Sequence, residues 1–385
     1  MIALTAGRLY TPLQSVDQPL VLVEDGHIAE VSSRETREVP AGARLLDYKD
    51  AILAPGFVDI HIHGGAGHDV MEADSSALPA VESLIAKHGV TAYLPTTVTA
   101  PLDHTLAALD RIAAAVENRA RKDRARPLGI HLEGPFISHA RRGVHPPEHL
   151  LTPSLALFER FWQAARGQIK MMTIAPELDG AIEVVAEAAR RGVCVSLGHS
   201  DADTKSTQAA VAAGARHATH AFNAMRPLDH REPGIVGEML TNPQLTADII
   251  VDGVHVDPAV VRLFLKAKGA ERAVLITDAT AATGMPDGTY RLGSFEVEVK
   301  NGKCMAEGKL AGSLLTMDRA VSNVMRFADW TLQAALRLAT LNPARVAGLR
   351  GRGEIEPGCE ADLVVLSSNG EVRATIIGDA SFRSA

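Results

Sequence analysis

The sequence has few cysteines and no long apolar run. Cys194, Cys304 and Cys359 are the three cysteines in 385 residues, and their odd number and wide spacing exclude a CxxC metal or redox site and fit a reducing compartment. No apolar run reaches the about 18 residues that a membrane span needs. The N-terminus has no basic segment followed by a long apolar core, so export is not expected. We therefore expect a cytoplasmic protein without a membrane partner.

A surplus of positive charge is also missing. The chain has 39 Lys and Arg residues against 46 Asp and Glu residues, a formal net charge of -7. No basic stripe dominates any segment, which argues against a nucleic-acid partner. The apolar fraction of 46% and the charged fraction of 22% are ordinary for a globular protein with a sizeable core. Chemistry on a small molecule is the better expectation.

The two ends of the chain have the pattern of short strands and turns. Residues 20–31, LVLVEDGHIAEV, predict a hairpin that turns at Asp25-Gly26. The last thirty or so residues have the same character. We predict one small β-sandwich domain built from both ends, residues 1–53 and 346–385.

Between these ends, apolar runs alternate with helical patterns, which is typical of βα units and a parallel sheet. The runs predicted as strands are Ile52–His61, Thr91–Thr96, Leu128–Glu133, Ile169–Ala175, Val193–His199, Ala218–Phe222, Leu245–Val254 and Ala273–Asp278. They predict an α/β fold, a (β/α)8 TIM-like barrel over residues 54–345. The segment near 287–310 breaks the alternation, and its Asn301-Gly302 pair predicts an inserted hairpin after the last barrel strand.

Nearly every predicted strand ends on an ionisable residue, and enzymes with this barrel build their sites at the carboxyl ends of the strands. These residues are His61, His63, Glu133, His199, His220, His255 and Asp278. His61 and His63 are two residues apart on a strand and point to one face, as paired metal ligands require. A lone histidine at a strand end is more often a hydrogen-bonded surface residue, so the interpretation depends on the whole set.

Glu133, His199 and His220 provide two imidazoles and one carboxylate. That ligand set, with one position left open for water, forms a known type of catalytic zinc site. Asp278 is a candidate base for the attacking water, and a carboxylate that caps the following turn is the alternative. His145, on the loop after the third strand, could polarise a substrate carbonyl.

The loop after the sixth strand is rich in hydrogen-bond donors. Asn223, Arg226, His230 and Arg231 lie within it, and such a set suits an anionic substrate, although basic loops are usually solvated. There is no phosphate-binding P-loop and no dinucleotide fingerprint, so any phosphate would belong to the substrate. His217, three residues before His220, is expected to be structural.

The motifs PGFVDIHIHG, HLEGPF, GHSDA, HATHAFNAM, DGVHV and TDA, in this order, resemble the amidohydrolase superfamily. HLEGPF and HAFNAMRPLDHREPG resemble its branch that deacetylates N-acetylglucosamine 6-phosphate. The resemblance spans nearly the whole chain and implies hydrolysis of that acetamide to glucosamine 6-phosphate and acetate, in amino-sugar catabolism or cell-wall sugar recycling. The alternatives are deacetylation of N-acetylgalactosamine 6-phosphate, hydrolysis of a different amide, or a non-catalytic scaffold.

The resemblance also implies roles for individual residues. Glu133, His199 and His220 would hold the catalytic metal. Asp278 would deprotonate the attacking water and later protonate the leaving amine, while His145 would stabilise the developing oxyanion.

The phosphate of the substrate has its own implied binding residues. They are Arg231 and His255, helped by Asn223 and the backbone at Ala224. In dimeric members the arginine and the histidine reach the neighbouring active site, so we expect a homodimer.

His61 and His63 mark the position where this family varies. Members that retain both histidines can carry two metal ions, and here Glu133 would bridge them in place of the superfamily's carbamylated lysine. We therefore expect one or two divalent ions per subunit. Zn is expected first, but such ligands also suit Fe, Co and Mn.

Overall fold

The computed structural model describes residues 1–118, 124–378 and 380–383. Its α-helices are Ala77–Lys87, Leu102–Glu117, Leu155–Ala164, Ala181–Arg190, Thr204–Ala213, Gly234–Thr241, Pro258–Arg272, Met317–Ala328, Leu332–Ala339 and Leu341–Val346. Short 3-10 helices span His139–Arg141 and Pro147–His149. None of the helices in these ranges is long and apolar enough to cross a bilayer.

Parallel strands form a closed barrel with a helix after each strand. The barrel strands are Phe57–Ile62, Val90–Thr97, Ile130–Glu133, Ile169–Ile174, Cys194–Leu197, His217–Ala218, Ala247–Ile250 and Ala273–Ile276. The Ala218 amide donates to the Thr246 carbonyl at 3.0 Å, and the Asp278 amide donates to the His61 carbonyl at 2.9 Å. These bonds join the sixth strand to the seventh and the eighth to the first, so the predicted (β/α)8 barrel is confirmed.

The first predicted strand, Ile52–His61, is wrong as a single element. Ile52–Pro55 pairs antiparallel with Asp362–Leu366 outside the barrel, and the barrel strand begins only at Phe57. The chain changes sheets at Gly56, where a Cβ atom would lie 2.3 Å from the Thr91 side chain. Both strands are apolar and buried, so the hydrophobic pattern runs through the junction without a break.

The later barrel strands are shorter than predicted. The sixth, predicted as Ala218–Phe222, spans His217–Ala218, and the seventh, predicted as Leu245–Val254, spans Ala247–Ile250. In both cases the predicted run continues into a loop that still contains buried residues. Burial in a site loop therefore imitates the pattern of a buried strand.

Two further sheets pack face to face as the predicted sandwich. One sheet contains, in order, His27–Ser33, Pro19–Glu24, Ile2–Thr5 and Arg44–Asp47. The other contains Ala380–Arg383, Val372–Ile377, Asp362–Leu366, Ile52–Pro55, Arg8–Tyr10 and Ser15–Asp17. Apolar side chains of both sheets form one core, for example Leu4 and Val21 with Leu363 and Ile376.

The hairpin predicted at Asp25-Gly26 is confirmed, since Pro19–Glu24 pairs antiparallel with His27–Ser33. Both turn residues have positive φ, 49° at Asp25 and 78° at Gly26, as a two-residue hairpin turn requires. The domain bounds 1–53, 54–345 and 346–385 stay a prediction, and residues 119–123, 379 and 384–385 lie outside the described residues.

A cluster of buried and half-buried ion pairs joins the barrel to the sandwich. We call Arg126, Arg352, Glu360 and Asp362 the junction cluster. Arg126 contacts Asp362 at 2.7 Å and Glu360 at 2.6 Å, and Arg352 contacts Glu360 at 2.6 Å and also Asp362. Each guanidinium thus contacts both carboxylates.

The insertion after the last barrel strand is a four-stranded antiparallel sheet and not the predicted single hairpin. Its strands are Gly288–Leu292, Phe295–Lys300, Lys303–Ala306 and Lys309–Leu310. Asn301-Gly302 does form a turn, but tight turns at Gly293 and Glu307-Gly308 add two strands that the pattern did not indicate. This inserted sheet packs on Val98 and Ala100, which follow the second barrel strand.

Candidate active site

A cavity of about 160 Å³ lies at the carboxyl ends of the barrel strands. Of the residues predicted for the site, it is lined by His63, Glu133, His145, His199, His220, Asn223, Ala224, His255 and Asp278. His61 lies beside them and is fully buried. Strand ends that are far apart in the sequence therefore meet in one place, as the barrel requires.

Glu133 lies at the centre of a group of imidazoles. We call His61, His63, Glu133, His199 and His220 the histidine cluster. Glu133 Oε1 is 3.3 Å from His199 Nε2 and 3.2 Å from His220 Nε2, and these two nitrogens are 3.0 Å apart. Glu133 Oε2 is 3.3 Å from His63 Nε2, and Oε1 is 3.4 Å from His61 Nε2. All of these side chains are buried.

The outer nitrogens of two rings fix the tautomer. His63 Nδ1 is 2.9 Å from the Thr96 carbonyl, and His199 Nδ1 is 3.0 Å from the Arg141 carbonyl. A carbonyl can only accept, so Nδ1 carries the hydrogen, and Nε2 of the neutral ring presents a lone pair to Glu133. Lone pairs and a carboxylate that face one another in a buried site need a cation between them.

The donor set therefore fits a divalent metal. His61, His63 and Glu133 offer three ligand atoms within 4.8 Å of one another, and Glu133, His145 and His199 offer a second such group. Imidazole nitrogen with carboxylate oxygen is a common ligand combination for zinc and its neighbours in the first transition series.

His220 is oriented through its backbone. Its amide donates to Asp248, whose other carboxylate oxygen is 2.9 Å from His217 Nε2. His217 Nδ1 is 2.6 Å from Thr246 Oγ1, so both of its nitrogens are used inside the barrel. His217 has the structural role expected from the sequence. Asp248, which the sequence analysis missed, holds both histidines in place.

Three ionisable site residues have a left-handed backbone. The φ angles are 47° at His199, 32° at His220 and 50° at Asp278. Such conformations are uncommon outside glycine and cost about 1–3 kcal/mol each. The chain bends sharply as it leaves each strand, and the bends turn the three side chains toward the cavity.

Asp278 lies beside the histidine cluster at the end of the eighth strand. Its Oδ1 is 3.1 Å from His63 Nε2 and 3.7 Å from His61 Nε2. Burial opposes ionisation, but the neighbouring His61 and His63 outweigh it and lower the pKa of Asp278 to about 2. The carboxylate is therefore ionised at neutral pH and able to accept a proton.

His145 faces the cluster from the loop after the third strand. The Thr99 amide donates to its Nδ1 at 3.2 Å, and the Thr99 hydroxyl lies 2.8 Å from the same atom. Nδ1 therefore accepts, and the hydrogen of the neutral ring is on Nε2. Burial, followed by the charge of His199, lowers the pKa of His145 to about 3. The ring is thus a neutral donor at physiological pH.

The carboxylates raise the basicity of two rings in the cluster. Burial opposes the charged form of His220, but contact with Glu133 raises its pKa to about 9. Burial likewise opposes the charge on His63, and Asp278 and Glu133 raise its pKa well above the ordinary value. The site attracts positive charge strongly enough to protonate buried imidazoles, which is the behaviour expected of a cation site.

The residues expected to bind phosphate are not all together. Asn223, Ala224 and His255 line the cavity, and His255 Nδ1 is held by Asp252 at 2.7 Å. Arg231 is exposed and is not among the residues that line the cavity. The structure therefore brings three of these four residues together.

A buried polar network below the cluster was also missed. His131 Nε2 is 2.8 Å from Thr173 Oγ1, which is 2.8 Å from Thr219 Oγ1, and His131 Nδ1 is 3.0 Å from the Ile60 carbonyl. The network spans the first, third, fourth and sixth strands beneath the ligands. The sequence could have indicated this network through His131, which lies two residues before Glu133 and therefore on the same face of the strand.

Comparisons with known proteins relate this chain to a single protein family. The amidohydrolase family model matches residues 52–380. The N-acetylglucosamine-6-phosphate deacetylase of Lysinibacillus sphaericus is 37% identical over 364 residues, covering 94% of this chain and 92% of the relative. The N-acetylgalactosamine-6-phosphate deacetylase of Escherichia coli O157:H7 is 38% identical, with 95% of each chain covered.

A solved structure resembles the whole chain. It is a variant N-acetyl-D-glucosamine-6-phosphate deacetylase from Mycobacterium smegmatis in complex with N-acetyl-D-glucosamine-6-phosphate. The two chains share 36% identity and a TM-score of 0.92, with 98% of each covered.

Proposed function

This chain belongs to the amidohydrolase family, and we propose that it hydrolyses the acetamide of N-acetyl-D-glucosamine 6-phosphate to D-glucosamine 6-phosphate and acetate. The observation that carries the proposal is the group Glu133, His199 and His220, with Nε2–Oε1 distances of 3.2–3.3 Å, in one cavity with the ionised carboxylate of Asp278. Relatives that cover nearly the whole chain act on this substrate.

A divalent metal fits Glu133, His199 and His220 and would supply Lewis-acid activation of the amide carbonyl and of water. The Thr96 and Arg141 carbonyls hold the rings of His63 and His199 so that Nε2 faces inward. Asp248 holds His220 through its amide. We infer zinc as the metal from these ligand types, with Fe, Co and Mn as alternatives that metal analysis distinguishes.

Asp278 and His145 divide the proton chemistry between them. The Asp278 carboxylate takes a proton from the attacking water and returns it to the nitrogen of the leaving amine. The Nε2–H of His145 donates to the oxyanion that develops on the amide oxygen. His145 Nε2 is 3.8 Å from Glu133 Oε2, and Asp278 Oδ1 is 3.1 Å from His63 Nε2, so both residues lie beside the histidine cluster and line the same cavity.

His255, Asn223 and the backbone at Ala224 would receive the phosphate, since they line the same cavity. Arg231 is exposed, and we propose that it completes the phosphate site of the other subunit in a homodimer. Sedimentation should give a dimer, and Arg231→Ala should raise KM more than it lowers kcat. A fully active monomer would contradict the dimer proposal. Cytoplasmic location likewise stays a proposal.

Acetate release tests the function directly. Purified protein, assayed with its metal content measured on the same sample, should release acetate from N-acetylglucosamine 6-phosphate and far less from the unphosphorylated sugar. Equal turnover of both would point to a different amide substrate, and neither metal nor turnover would indicate a scaffold.

N-acetylgalactosamine 6-phosphate is the second candidate substrate. A relative that acts on it is as similar to this chain as those that act on the glucosamine compound, at 38% against 37% identity. The two sugars differ in the orientation of one hydroxyl, so the ratio of kcat/KM for the pair decides between them.

We propose a second metal ion bound by His61 and His63, with Glu133 as the bridge. Their side-chain atoms lie within 4.8 Å of one another. Metal analysis of protein purified without chelator should then give two equivalents, and His61→Asn should remove one. One equivalent with full activity would overturn this proposal.

A further inference from the structure

The cavity has two chemically different ends. Asn223, Ala224 and His255, on the loops after the sixth and seventh strands, line one end. Val98 and Val144, on the loops after the second and third strands, line the other. In a ring of eight strands, the second and third lie opposite the sixth and seventh, so these groups face one another across the barrel mouth.

The inserted sheet completes the second end. Leu292 and Leu310 from this sheet line the cavity together with Val98 and Val144. Leu292, Val98 and Val144 belong to one apolar cluster, and Gly293 fits against Val98 so closely that a Cβ atom there would lie 2.3 Å from it. The end of the cavity opposite His255 is therefore lined by apolar side chains.

The apolar end adjoins the predicted oxyanion donor. Val144 directly precedes His145, and Val98 directly precedes Thr99, whose amide donates to His145 Nδ1. In an amide, the carbonyl carbon carries the oxygen, the nitrogen and the acyl substituent. If the oxygen faces His145 and the phosphate lies at the His255 end, the acyl substituent points toward the apolar end.

We propose that Val98, Val144, Leu292 and Leu310 form the pocket for the N-acyl group, and that Leu310 limits the length of acyl chain the enzyme accepts. The inference rests on the proposed function. It assigns the inserted sheet a role in substrate selection, with acetyl as the preferred group and longer acyl chains rejected. Hydrophobic pockets discriminate by about 10–200-fold for one methylene.

Leu310 is the residue to vary because it lines the cavity without belonging to the apolar cluster beneath the sheet. The substrates are the N-acetyl, N-propanoyl and N-butanoyl forms of the same amino-sugar 6-phosphate, and the readout is the kcat/KM ratio of each longer chain to acetyl. Leu310→Ala should raise the butanoyl-to-acetyl ratio about tenfold or more. Leu310→Phe should lower the propanoyl-to-acetyl ratio.

Leu263→Ala is the matched control, since Leu263 is 50% exposed on a helix outside the cavity. It should leave every ratio at the wild-type value. Melting temperature and metal content identify a variant that has lost its fold. If one Leu310 variant is unfolded, the acyl-chain ratios of the other test the proposed pocket. Wild-type ratios in a folded Leu310 variant would overturn the acyl pocket. A wild-type chain that releases no acetate from the N-acetyl sugar phosphate would instead overturn the proposed function.

Discussion

The histidine cluster is buried and the junction cluster is mostly buried, yet their charges are arranged in opposite ways. In the junction cluster, two guanidiniums contact two carboxylates at 2.6–2.7 Å, so the charges balance within the chain. Around the histidine cluster, the carboxylates of Glu133 and Asp278 face imidazoles, which balance the negative charge only when the rings bind protons or a cation binds between them. The two carboxylate charges equal the charge of one divalent cation. The junction cluster, whose charges balance, stabilises the fold. The histidine cluster, whose charges do not balance, is suited to bind a cation.

Asp278→Asn removes one of the two carboxylates at the histidine cluster, and we expect it to lower activity more than any other change proposed here. Without its carboxylate the reaction has no base, so kcat should fall by about 10²–10⁴-fold. Metal content and the free energy of unfolding should stay near the wild-type values, measured by elemental analysis and denaturant titration. Asp50→Asn, at a carboxylate 83% exposed, should change nothing. Retained turnover in Asp278→Asn would reassign the base.

Arg352→Met removes one of the two guanidiniums of the junction cluster. It leaves the buried carboxylate of Asp362 with one guanidinium instead of two, and removing one partner of a buried pair costs about 3–5 kcal/mol of folding free energy. We expect the lower end of that range, because Arg126 remains bonded to Asp362. Denaturant titration measures the loss, and kcat/KM at a temperature where the variant is folded should not change. Arg37→Met, at an exposed pair, should cost less than about 1 kcal/mol.

Removing the metal with a chelator tests whether the histidine cluster depends on a cation. A ligand present at 100 times its Kd stabilises by about 2.7 kcal/mol, so the melting temperature should drop. The pKa of His220, raised to about 9 by Glu133 against the effect of burial, makes this drop depend on pH. Protonated His220 stabilises the metal-free fold fully below the unfolded pKa of about 6.5, and this stabilisation is lost as the pH rises through about 9.

The difference in melting temperature between loaded and stripped protein should therefore grow between pH 6.5 and 9. Calorimetry at several pH values measures it. A difference that shrinks over this range would mean that the cluster does not take up protons in place of the metal.

Glu360→Gln should have the smallest effect on the free energy of unfolding. Burial opposes ionisation of Glu360, but Arg352 and Arg126 outweigh it and lower its pKa. A lowered carboxyl pKa contributes stability above the unfolded value of about 4.3, lost as the pH falls through the folded value. Since the side chain is 34% exposed, the contribution should be below about 1 kcal/mol. Denaturant titration at pH 6 and 3 should give a smaller pH dependence for the variant than for the wild-type chain.

The sequence was sufficient to predict the barrel, because strand and helix periods alternate and ionisable residues recur at strand ends. Those residues include His63, Glu133, His199, His220 and Asp278, which the structure brings to one cavity. Parallel strands in a barrel all end at one face, so a residue at the carboxyl end of any strand can be predicted to lie near the site.

What could not be predicted depends on contacts between distant segments. Asp248 and His131 are buried polar residues inside strands, and only the closed barrel shows that Asp248 holds His220 and that His131 bonds to Thr173 of the neighbouring strand. The left-handed backbone at His199 and Asp278 has no glycine to signal it. The break at Gly56 lies inside an unbroken apolar run, and the sheet change follows from pairing with residues more than 300 positions away.

That pairing has a consequence for synthesis on the ribosome. Ile52–Pro55 is made more than 300 residues before its antiparallel neighbour, Asp362–Leu366. Until then the strand that leads directly into His61 and His63 has an open edge, which invites pairing with other chains. More than 300 further residues must be made before the strand that precedes the first metal-ligand strand is paired on both sides. Fragments that stop before residue 362 should therefore aggregate even when the barrel itself is complete.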